Sequence, residues 1–264
     1  MADFVVCIPS YKRAQICKDQ TLRMLQANKI PREKIFVYVA DQSEWDVYTQ
    51  TLDPNSYCEI VIGLKGLAQQ RQFIIEQYPE GTHIVFFDDD VLNVDLSMSD
   101  LFHDKSLADF IQSAFAECHR YGSYIWGVYP VFNPYFRKNR IEMTTCLNHI
   151  VGCFYGIINR PGFEELKLMI SAENGQKEDI ERSILYWLKD NITIRFNKVG
   201  FQTKYYGTTG GLGTFKERIQ SGLNACKKLN ELYSSLGRMI ERKNGMMEFR
   251  LRKIKSGRLP VSDA

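Results

Sequence analysis

Four short runs of hydrophobic residues in the first third of the chain constrain its fold more than any other feature. The runs are 4–8, 35–40, 59–62 and 83–87. Strands that are apolar at nearly every position are typical of a parallel sheet that helices cover on both faces. Between the first two runs, hydrophobic residues have helical spacing at Ile16, Leu22 and Leu25. Between the third and fourth runs, a helix is expected to begin at Gly66. Successive β–α units therefore predict an α/β fold with a mostly parallel, Rossmann-like sheet covered by helices.

Each of these predicted strands is followed by polar or flexible residues. The segments are Pro9-Ser10-Tyr11-Lys12-Arg13, Asp41, Lys65-Gly66 and Asp88-Asp89-Asp90. In open parallel sheets, ligands bind at the carboxyl ends of the strands. The first third of the chain is therefore predicted to be a nucleotide-binding half, with these residues at its binding edge.

The remainder of the chain has a less regular pattern. Helices are expected over 106–120 and 177–188, and strands over 124–129, 151–158, 192–196 and 203–206. The glycine-rich loop 207–213 is suited either to wrapping a diphosphate or to a flexible connection. Hydrophobic residues then recur every seven positions from Ile219 to Ile240, which predicts an amphipathic helix of about 25 residues. We therefore divide the chain into an α/β domain, 1–214, and a basic helical extension, 215–264.

The acidic triplet Asp88-Asp89-Asp90 directly follows an apolar strand. Three adjacent carboxylates repel one another, and a divalent cation among them relieves that repulsion. Hard oxygen ligands suit Mg²⁺ or Mn²⁺, and magnesium usually binds through one or two carboxylates together with substrate phosphates. The alternative is a solvated turn, which the preceding β–α units make the weaker interpretation.

The distribution of charge is more informative than its total. The 264 residues include 34 Lys and Arg and 31 Asp and Glu, a formal charge of +3. Residues 215–258 hold 12 basic and 4 acidic residues, a net of +8, which leaves 22 basic and 27 acidic residues, a net of −5, elsewhere. A basic tail indicates a polyanionic partner, and a solvated or membrane-surface helix face is the alternative. Because the tail has few aromatic residues, we expect it to bind nucleic acid through Arg250, Arg252, Lys253 and Lys255.

Composition and cysteine usage indicate the cellular context. With 44% hydrophobic and 25% charged residues, the chain is neither disordered nor of low complexity. Its seven cysteines form no Cys-x-x-Cys pair or zinc-like spacing, and Cys7 and Cys153, within apolar runs, are expected to be buried free thiols. We find no signal-peptide pattern and no apolar run long enough to span a membrane, and we expect a reduced, cytoplasmic protein.

Five segments resemble, in order, the motifs of family 2-type GT-A glycosyltransferases. They are the first strand Val5 to Arg13, the acidic residue Asp41, the Gly-x-x-x-x-Arg segment Gly66 to Arg71, the DxD-like Phe86 to Asp90, and Glu178-Asp179 with Arg182 downstream. The resemblance covers about residues 3–200. It departs from the family at the end, because no histidine follows His149 to supply the C-terminal metal ligand of some relatives.

This resemblance implies transfer of a sugar from a nucleotide-diphosphate donor, expected to be a UDP-sugar, with Mn²⁺ or Mg²⁺. Asp41 would bind the base, Asp88 the ribose or the metal, and Asp90 the metal that bridges the diphosphate. Other expected contacts of the sugar donor are Pro9, Ser10, Arg13, Lys65, Gly66, Arg71 and Asp89. Simpler roles stay open at this point: a turn for Asp41 and a solvated helix position for Arg71.

An inverting transfer needs one base to take the proton of the acceptor hydroxyl. By the same resemblance we assign this base to Asp179, with Glu178 as the second choice. Both lie at a predicted helix start, where the helix dipole stabilises an ionised carboxylate, so helix capping is the alternative role. His149 is expected to be an ordinary buried or surface histidine.

For the acceptor, the chain is similar to the compact GT-A transferases that accompany base-oxidising dioxygenases and modify hydroxymethylated pyrimidines in DNA. That similarity implies DNA carrying a base such as 5-hydroxymethylcytosine as partner and, for a viral chain, the host cytoplasm as location. A transferase acting on a glycan is the first alternative, and a non-catalytic nucleic-acid-binding protein on the same fold is the second. A nucleotidyltransferase is disfavoured because the first loop, 9–13, lacks glycine.

Overall fold

The computed structural model describes residues 3–203 and 215–257. The strands in these ranges are β1 (Phe4–Pro9), β2 (Ile35–Val39), β3 (Glu59–Ile62), β4 (His83–Phe87), β5 (Val91–Asp95), β6 (Ile125–Tyr129), β7 (Met143–Thr144), β8 (Phe154–Ile158), β9 (Ile194–Thr203), β10 (Gly237–Glu241) and β11 (Met247–Leu251). The α-helices are α1 (Ala14–Cys17), α2 (Arg23–Ala27), α3 (Gln42–Thr51), α4 (Leu67–Glu76), α5 (Leu107–Tyr121), α6 (Met169–Asn174), α7 (Glu178–Asp190) and α8 (Phe215–Tyr233). A π-helical turn, Lys18–Leu22, joins α1 to α2.

The central sheet follows the order β3-β2-β1-β4-β8-β6-β9-β5, with β7 beside β9. Strands β1 to β4 are parallel, and β6 and β9 run in the same direction, whereas β5, β7 and β8 run the opposite way. The sheet is therefore mostly parallel, as predicted. Its first strands are apolar on both sides because α1, α2, α3 and α5 cover one face and α4 and α7 cover the other.

The position of β1 in the sheet explains where a ligand would bind. β1 lies between β2 and β4, so the chain leaves it towards one side and returns on the other. Open α/β sheets have a crevice at such a switch point, outside the carboxyl ends of the strands. The register pairs Cys7 with Phe86, so residues 10–13 and 88–90 leave the sheet side by side.

The structure confirms the strands predicted at 59–62 and 83–87, and the helix that opens after Gly66. One strand, β9, runs from Ile194 to Thr203, so it includes most of the strand predicted at 192–196 and is longer than expected. Of the strand predicted at 203–206, all but Thr203 lies outside the described residues. The sequence analysis also missed β5, which directly follows the acidic triplet and has a partly exposed pattern with little apolar signal. The glycine-rich loop 207–213 lies outside the described residues.

The C-terminal extension begins with the predicted helix but does not continue as one. α8 ends at Tyr233, and β10 and β11 form an antiparallel hairpin, so the long-helix prediction is wrong beyond that residue. Asn244-Gly245, with a φ of 80° at Gly245, is the turn dipeptide typical of such hairpins. Gly237 is required because a Cβ there would lie 2.3 Å from the ring of Phe249.

α8 and the hairpin are packed against the main body, on α6 and α7. They share one hydrophobic cluster, whose buried members are Ile170, Ile180, Ile184, Ala225, Cys226, Leu229 and Phe249. This cluster fixes the hairpin next to the N-terminal end of α7, where Glu178 and Asp179 lie.

All seven cysteines lie in the described ranges and carry free thiols. Cys7 is buried, which raises the pKa of its thiol to about 12, while Cys153 is partly exposed. None of the described helices is both long enough and apolar enough to cross a membrane.

Candidate active site

The ends of β1 and β4 meet in a hydrogen-bonded cluster around the acidic triplet. Ser10, which directly follows Pro9 at the end of β1, donates its hydroxyl proton to Asp89 Oδ2 over 2.5 Å. The guanidinium of Arg13 lies 2.9 Å from Asp89 Oδ1 and 2.6 Å from Asp90 Oδ2. Residues from two predicted strand ends, 77 to 79 positions apart in the chain, thus form one site.

Asp90 also connects this cluster to the far side of the sheet. Thr203, the last residue of β9, donates its hydroxyl proton to Asp90 Oδ1 over 2.5 Å. Both carboxylate oxygens of Asp90 therefore have a partner, Thr203 on one and Arg13 on the other.

Arg71 is buried next to the triplet with only 1% of its surface exposed, so the alternative of a solvated helix position is wrong. Its guanidinium donates to Asp88 Oδ1 over 2.7 Å, to Gly152 O over 2.9 Å, and to Glu178 Oε1. Glu178 Oε2 in turn accepts from Arg182, one helical turn later, over 2.5 Å. Arg71 therefore joins the end of β4 to the N-terminal end of α7.

Burial and the neighbouring charges set the protonation of the triplet. Burial raises the pKa of Asp88 to about 6 and that of Asp89 to about 7, although Arg71 and Arg13 act in the opposite direction. The ion-paired network contains more carboxylates than guanidinium groups: Asp88, Asp89, Asp90 and Glu178 against Arg13, Arg71 and Arg182. With every group ionised, one negative charge is left uncompensated, which suits a cation at this edge.

The carboxylates fit a hard divalent cation in the way that magnesium binds with nucleotides. The side chains of Asp88 and Asp90 are 26% and 13% exposed. Within residues 3–203 and 215–257, no group of three His, Cys, Asp or Glu side chains is placed to hold a metal. Asp88 and Asp90 would thus provide the protein ligands, and phosphate oxygens and water would complete the coordination.

Glu178 and Asp179 are neighbours in sequence but differ in their contacts. Both oxygens of Glu178 are bound by arginines in a buried position. Asp179 Oδ1 accepts from the backbone N–H of Ile180, and its Oδ2 lies 2.8 Å from His149 Nε2. Against the raising effect of burial, His149 and the nearby cations hold the pKa of Asp179 well below its usual range. Asp179 keeps 24% of its side chain exposed and stays ionised, so it is the accessible carboxylate of the pair.

His149 is a site residue that the sequence analysis did not identify. It lies in the irregular segment between β7 and β8, 30 residues before Asp179. The segment is fixed to α7 because the backbone N–H of Ile150 donates to Ser183 Oγ over 2.9 Å. No motif surrounds His149 in the sequence, and its proximity to Asp179 is a consequence of tertiary packing alone.

The remaining predicted contacts of the sugar donor lie at the ends of β2 and β3. Asp41 is the N-cap of α3, and the hydroxyl of Ser43 donates to its Oδ1 over 2.6 Å, which lowers its pKa. Lys65 is exposed, with its Nζ 5.7 Å from the centre of the Tyr11 ring. Gly66 has a φ of 99°, which favours glycine before α4. Asp41 is thus a capping residue in the structure, and it is exposed at the same edge as the triplet.

The basic residues of the tail lie beside His149. A cavity of about 660 Å³ is lined by His149, by Tyr129 and by three of the four residues predicted to contact nucleic acid, Arg250, Arg252 and Lys253. Lys255 lies further along, in a backbone bridge with Cys146, which also lines the cavity. The cavity therefore reaches Asp179 through His149, which lines the cavity and contacts that carboxylate.

Solved structures show what this architecture is similar to. The mannosyltransferase PcManGT from Pyrobaculum calidifontis, in complex with GDP-Man and Mn²⁺, superposes with a TM-score of 0.51 and 14% identity, over 88% of this chain and 64% of that one. Glucosyl-3-phosphoglycerate synthase from Mycobacterium tuberculosis, in complex with Mn²⁺, UDP-glucose and phosphoglyceric acid, superposes with a TM-score of 0.50 and 10% identity, over 97% and 90%. No family model and no curated sequence matches the chain.

At this level of identity the likeness establishes the fold. The chain has the GT-A glycosyltransferase fold that its ordered motifs predict. It spans only part of some of these structures, namely 64% of the mannosyltransferase and 40% of S. aureus TarS, which superposes with a TM-score of 0.47.

Proposed function

We propose that this protein is a metal-dependent glycosyltransferase that transfers a sugar from a nucleotide-diphosphate donor to a hydroxyl group. The observation that carries the proposal is the cluster at the ends of β1 and β4, where Asp88 and Asp90 are held by buried or half-buried arginines. A non-catalytic protein on the same fold has no need of carboxylates held in this way, because their burial is costly. The fold neighbours solved in complex with GDP-Man or UDP-glucose and Mn²⁺ support the same class of donor.

On the donor side, the nucleotide would lie across the ends of β1, β2 and β4. Asp41 is exposed at the end of β2, where its carboxylate would contact the base or the ribose of the nucleotide. Lys65 and Arg13 carry positive charge at the same edge and suit the diphosphate. A UDP-sugar is the first donor to test.

Asp88 and Asp90 would hold Mg²⁺ or Mn²⁺ together with the diphosphate oxygens. When bound, the cation neutralises the charge that develops on the leaving diphosphate. Arg71 keeps Asp88 in place, and Arg13 and Thr203 keep Asp90 in place, so both carboxylates are oriented before the donor arrives.

Asp179 would act as the base. The acceptor oxygen forms a bond to the anomeric carbon while the bond from that carbon to the diphosphate oxygen breaks, and the electron pair leaves with the nucleoside diphosphate. The acceptor proton passes to Asp179. Attack opposite the leaving group inverts the configuration. Glu178 is not assigned this role, because two arginines pair with its carboxylate and its side chain is only 10% exposed, against 24% for Asp179.

For the acceptor, we propose DNA that carries a hydroxymethylated pyrimidine. Arg250, Arg252 and Lys253 face the cavity beside His149, so phosphates of a nucleic acid would be held next to the proposed base. Such contacts position a strand without reading its sequence. A base hydroxymethyl group reaches Asp179 either by projecting from the major groove or after the base leaves the stack, which costs a few kcal/mol. Trp126 is buried in the core, so it is not available to stack on a flipped base.

The activity is tested by incubating the protein with UDP- and GDP-sugars and Mn²⁺, and measuring release of the nucleoside diphosphate. We expect release from at least one donor, and loss of release on adding EDTA or on Asp90→Asn. Asp104→Asn, which changes an exposed carboxylate outside the site, is the matched control. Absence of release from every donor, or full activity of Asp90→Asn, would contradict the proposal.

The acceptor is tested by incubating the protein and donor with hydroxymethylated or plain DNA. The DNA is then digested to nucleosides, and mass spectrometry measures the added sugar. Changing Arg250, Arg252, Lys253 and Lys255 to Ala should weaken DNA binding similarly for all sequences. Each lost phosphate contact should flatten the slope of log K against log salt by about 0.7–0.9. If a free glycan accepts sugar and hydroxymethylated DNA does not, the glycan alternative replaces DNA.

A further inference from the structure

The cavity beside His149 carries an excess of positive charge. The cations that line it are Arg140, Arg195, Arg250, Arg252 and Lys253, and they face one carboxylate, Glu248. Glu248 is already bound by Arg242 over 2.5 Å. The cavity thus presents a positive interior of about 660 Å³, a size typical of small-ligand sites.

Two of these arginines converge on one aromatic ring. The guanidinium carbon of Arg140 lies 4.2 Å, and that of Arg195 5.4 Å, from the centre of the Tyr129 ring. Arg195 Nε donates to Asn197 Oδ1 over 2.9 Å, which fixes the plane of its guanidinium. The Nε of Arg140 donates to the backbone oxygen of Phe136.

Neither arginine has an ion-pair partner among the carboxylates of residues 3–203 and 215–257. Arg195 is half-buried on β9, and its burial together with repulsion from Arg140 lowers its pKa. Two neighbouring cations without a carboxylate are unfavourable in a partly buried place, and a bound anion would relieve that cost. Arg13, Arg71 and Arg182, by contrast, are all paired with carboxylates.

We infer that Arg140 and Arg195 form a seat for a phosphate group of the acceptor, so that this enzyme acts on phosphate-bearing acceptors. Guanidinium groups bind phosphate oxygens bidentately, and a doubly charged phosphate matches two of them. His149 lines the same cavity and contacts Asp179, so an acceptor seated by its phosphate would extend its hydroxyl towards the proposed base.

The inference rests on the proposed glycosyl transfer and makes it more specific. The phosphate would come either from a nucleic-acid backbone or from a small phosphorylated alcohol, since both present anionic phosphate oxygens to the two arginines, although a backbone phosphodiester carries only one negative charge. Arg140 lies in the segment between β6 and β7, and Arg195 lies on β9. Both are apart from the tail residues, so the seat is separable from the tail by mutation.

The test compares acceptors that differ only by a phosphate. These are 5-hydroxymethyldeoxycytidine and its 5′-monophosphate, and glycerol and glycerol 3-phosphate, beside a hydroxymethylated oligonucleotide, with the donor identified by nucleotide release. We expect a phosphorylated acceptor to be preferred over its unphosphorylated partner. Arg195→Gln and Arg140→Gln should each raise its KM by about 10- to 100-fold, the effect of one charged hydrogen-bonding partner. Arg23→Gln, an exposed arginine in α2, is the control.

A second measurement does not depend on turnover. Inorganic phosphate, titrated by calorimetry or by its effect on the melting temperature, should bind the wild type and bind Arg140→Gln more weakly; Arg140 is exposed, so this variant should retain the fold. Preference for a mononucleotide or an oligonucleotide would assign the seat to nucleic acid, and preference for glycerol 3-phosphate would assign it to a small alcohol. Equal use of phosphorylated and unphosphorylated acceptors, with phosphate binding unchanged in both variants, would overturn the inference.

The failure of the inference differs from failure of the proposed function. If nucleotide release occurs and the arginine variants change neither phosphate binding nor KM, only the phosphate seat is refuted. If phosphate binds through Arg140 and Arg195 but no nucleotide sugar is ever cleaved, the seat is supported as a binding site and the glycosyltransferase activity is refuted.

Discussion

His149 Nε2 lies 2.8 Å from Asp179 Oδ2, and this contact joins the cavity beside the tail to the N-terminal end of α7. On its other side, Asp179 is adjacent in sequence to Glu178, which Arg71 connects to Asp88. His149 and Asp179 therefore lie between the carboxylate cluster proposed for the sugar donor and the cationic cavity proposed for the acceptor. An Asp at such a boundary is well placed to take a proton from one substrate while the other loses its leaving group.

Asp179→Asn should lower kcat by about 10²–10⁴-fold with little change in affinity for the sugar donor, since it removes the base and leaves the carboxylates of the triplet in place. Single-turnover kinetics together with a nucleotide-binding assay check this. A collapse of donor affinity would instead assign Asp179 to the donor or the metal.

His149 is expected to act as a positioning residue for Asp179. His149→Phe should lower kcat by about 10-fold or more, because Asp179 loses the partner that holds its carboxylate in place. The acid limb of the pH–rate profile should move up, since His149 is one cause of the low pKa of Asp179. His149→Gln, which keeps a hydrogen-bond donor, should recover part of the rate. An unchanged pH profile in His149→Phe would show that the contact is only structural.

Asp90→Asn should lower turnover by at least about 10²-fold, or about 2.7 kcal/mol of barrier, because it removes a charged ligand of the metal. The protein should still fold, since Arg13 can donate to the amide oxygen of the variant and the Thr203 hydroxyl can accept from its amide nitrogen. Titration with Mn²⁺ should show weaker binding to the variant than to Asp104→Asn. Equal Mn²⁺ affinity of the two variants would place the metal elsewhere.

Arg71→Ala should destabilise the protein by about 3–5 kcal/mol, because it leaves Glu178 and Asp88 without their buried partner. Urea unfolding monitored by circular dichroism measures the change. Arg23→Ala, at an exposed position in α2, should change stability by less than about 0.5 kcal/mol. A small effect of Arg71→Ala would show that its ion pairs with Glu178 and Asp88 do not stabilise the fold.

Stability should fall in acid in part because of His83. This histidine is buried and its ring stacks on that of Phe115, and its Nε2 lies 3.0 Å from His119 Nε2. Burial together with the charge of His119 lowers the pKa of His83 to about 4. The unfolded chain binds a proton near 6.5, so the free energy of unfolding should decrease as pH falls from about 6.5 to about 4. His83→Gln should flatten this part of the pH dependence, measured by urea unfolding at several pH values. An unchanged slope would contradict the assignment.

The first half of the site was predictable from the sequence because its residues are tied to local signals. Apolar runs of strand length marked β1 to β4, and polar residues directly after them had to meet at one edge once the strands were parallel. Asp88, Asp90 and Arg13 are therefore found where they were expected. The hairpin in the tail was also marked, by Asn244-Gly245, but the seven-residue spacing of hydrophobic residues favoured a helix.

Only the tertiary structure decided which residues from the second half of the chain lie near the acidic edge of the sheet. His149, Arg140 and Arg195 stand in no motif, and their neighbours in space are 30 or more residues away in some cases, as with His149 and Asp179. Contacts of this kind depend on how α7, β9 and the hairpin pack, and no local periodicity encodes that packing. The sequence by itself determined a parallel α/β sheet with an acidic edge, because strand and helix periods are local properties of the chain. The pairing of Asp179 with His149, the burial of Arg71 and the cationic cavity arose only from the packing of distant segments, because burial and ion pairing depend on neighbours in space.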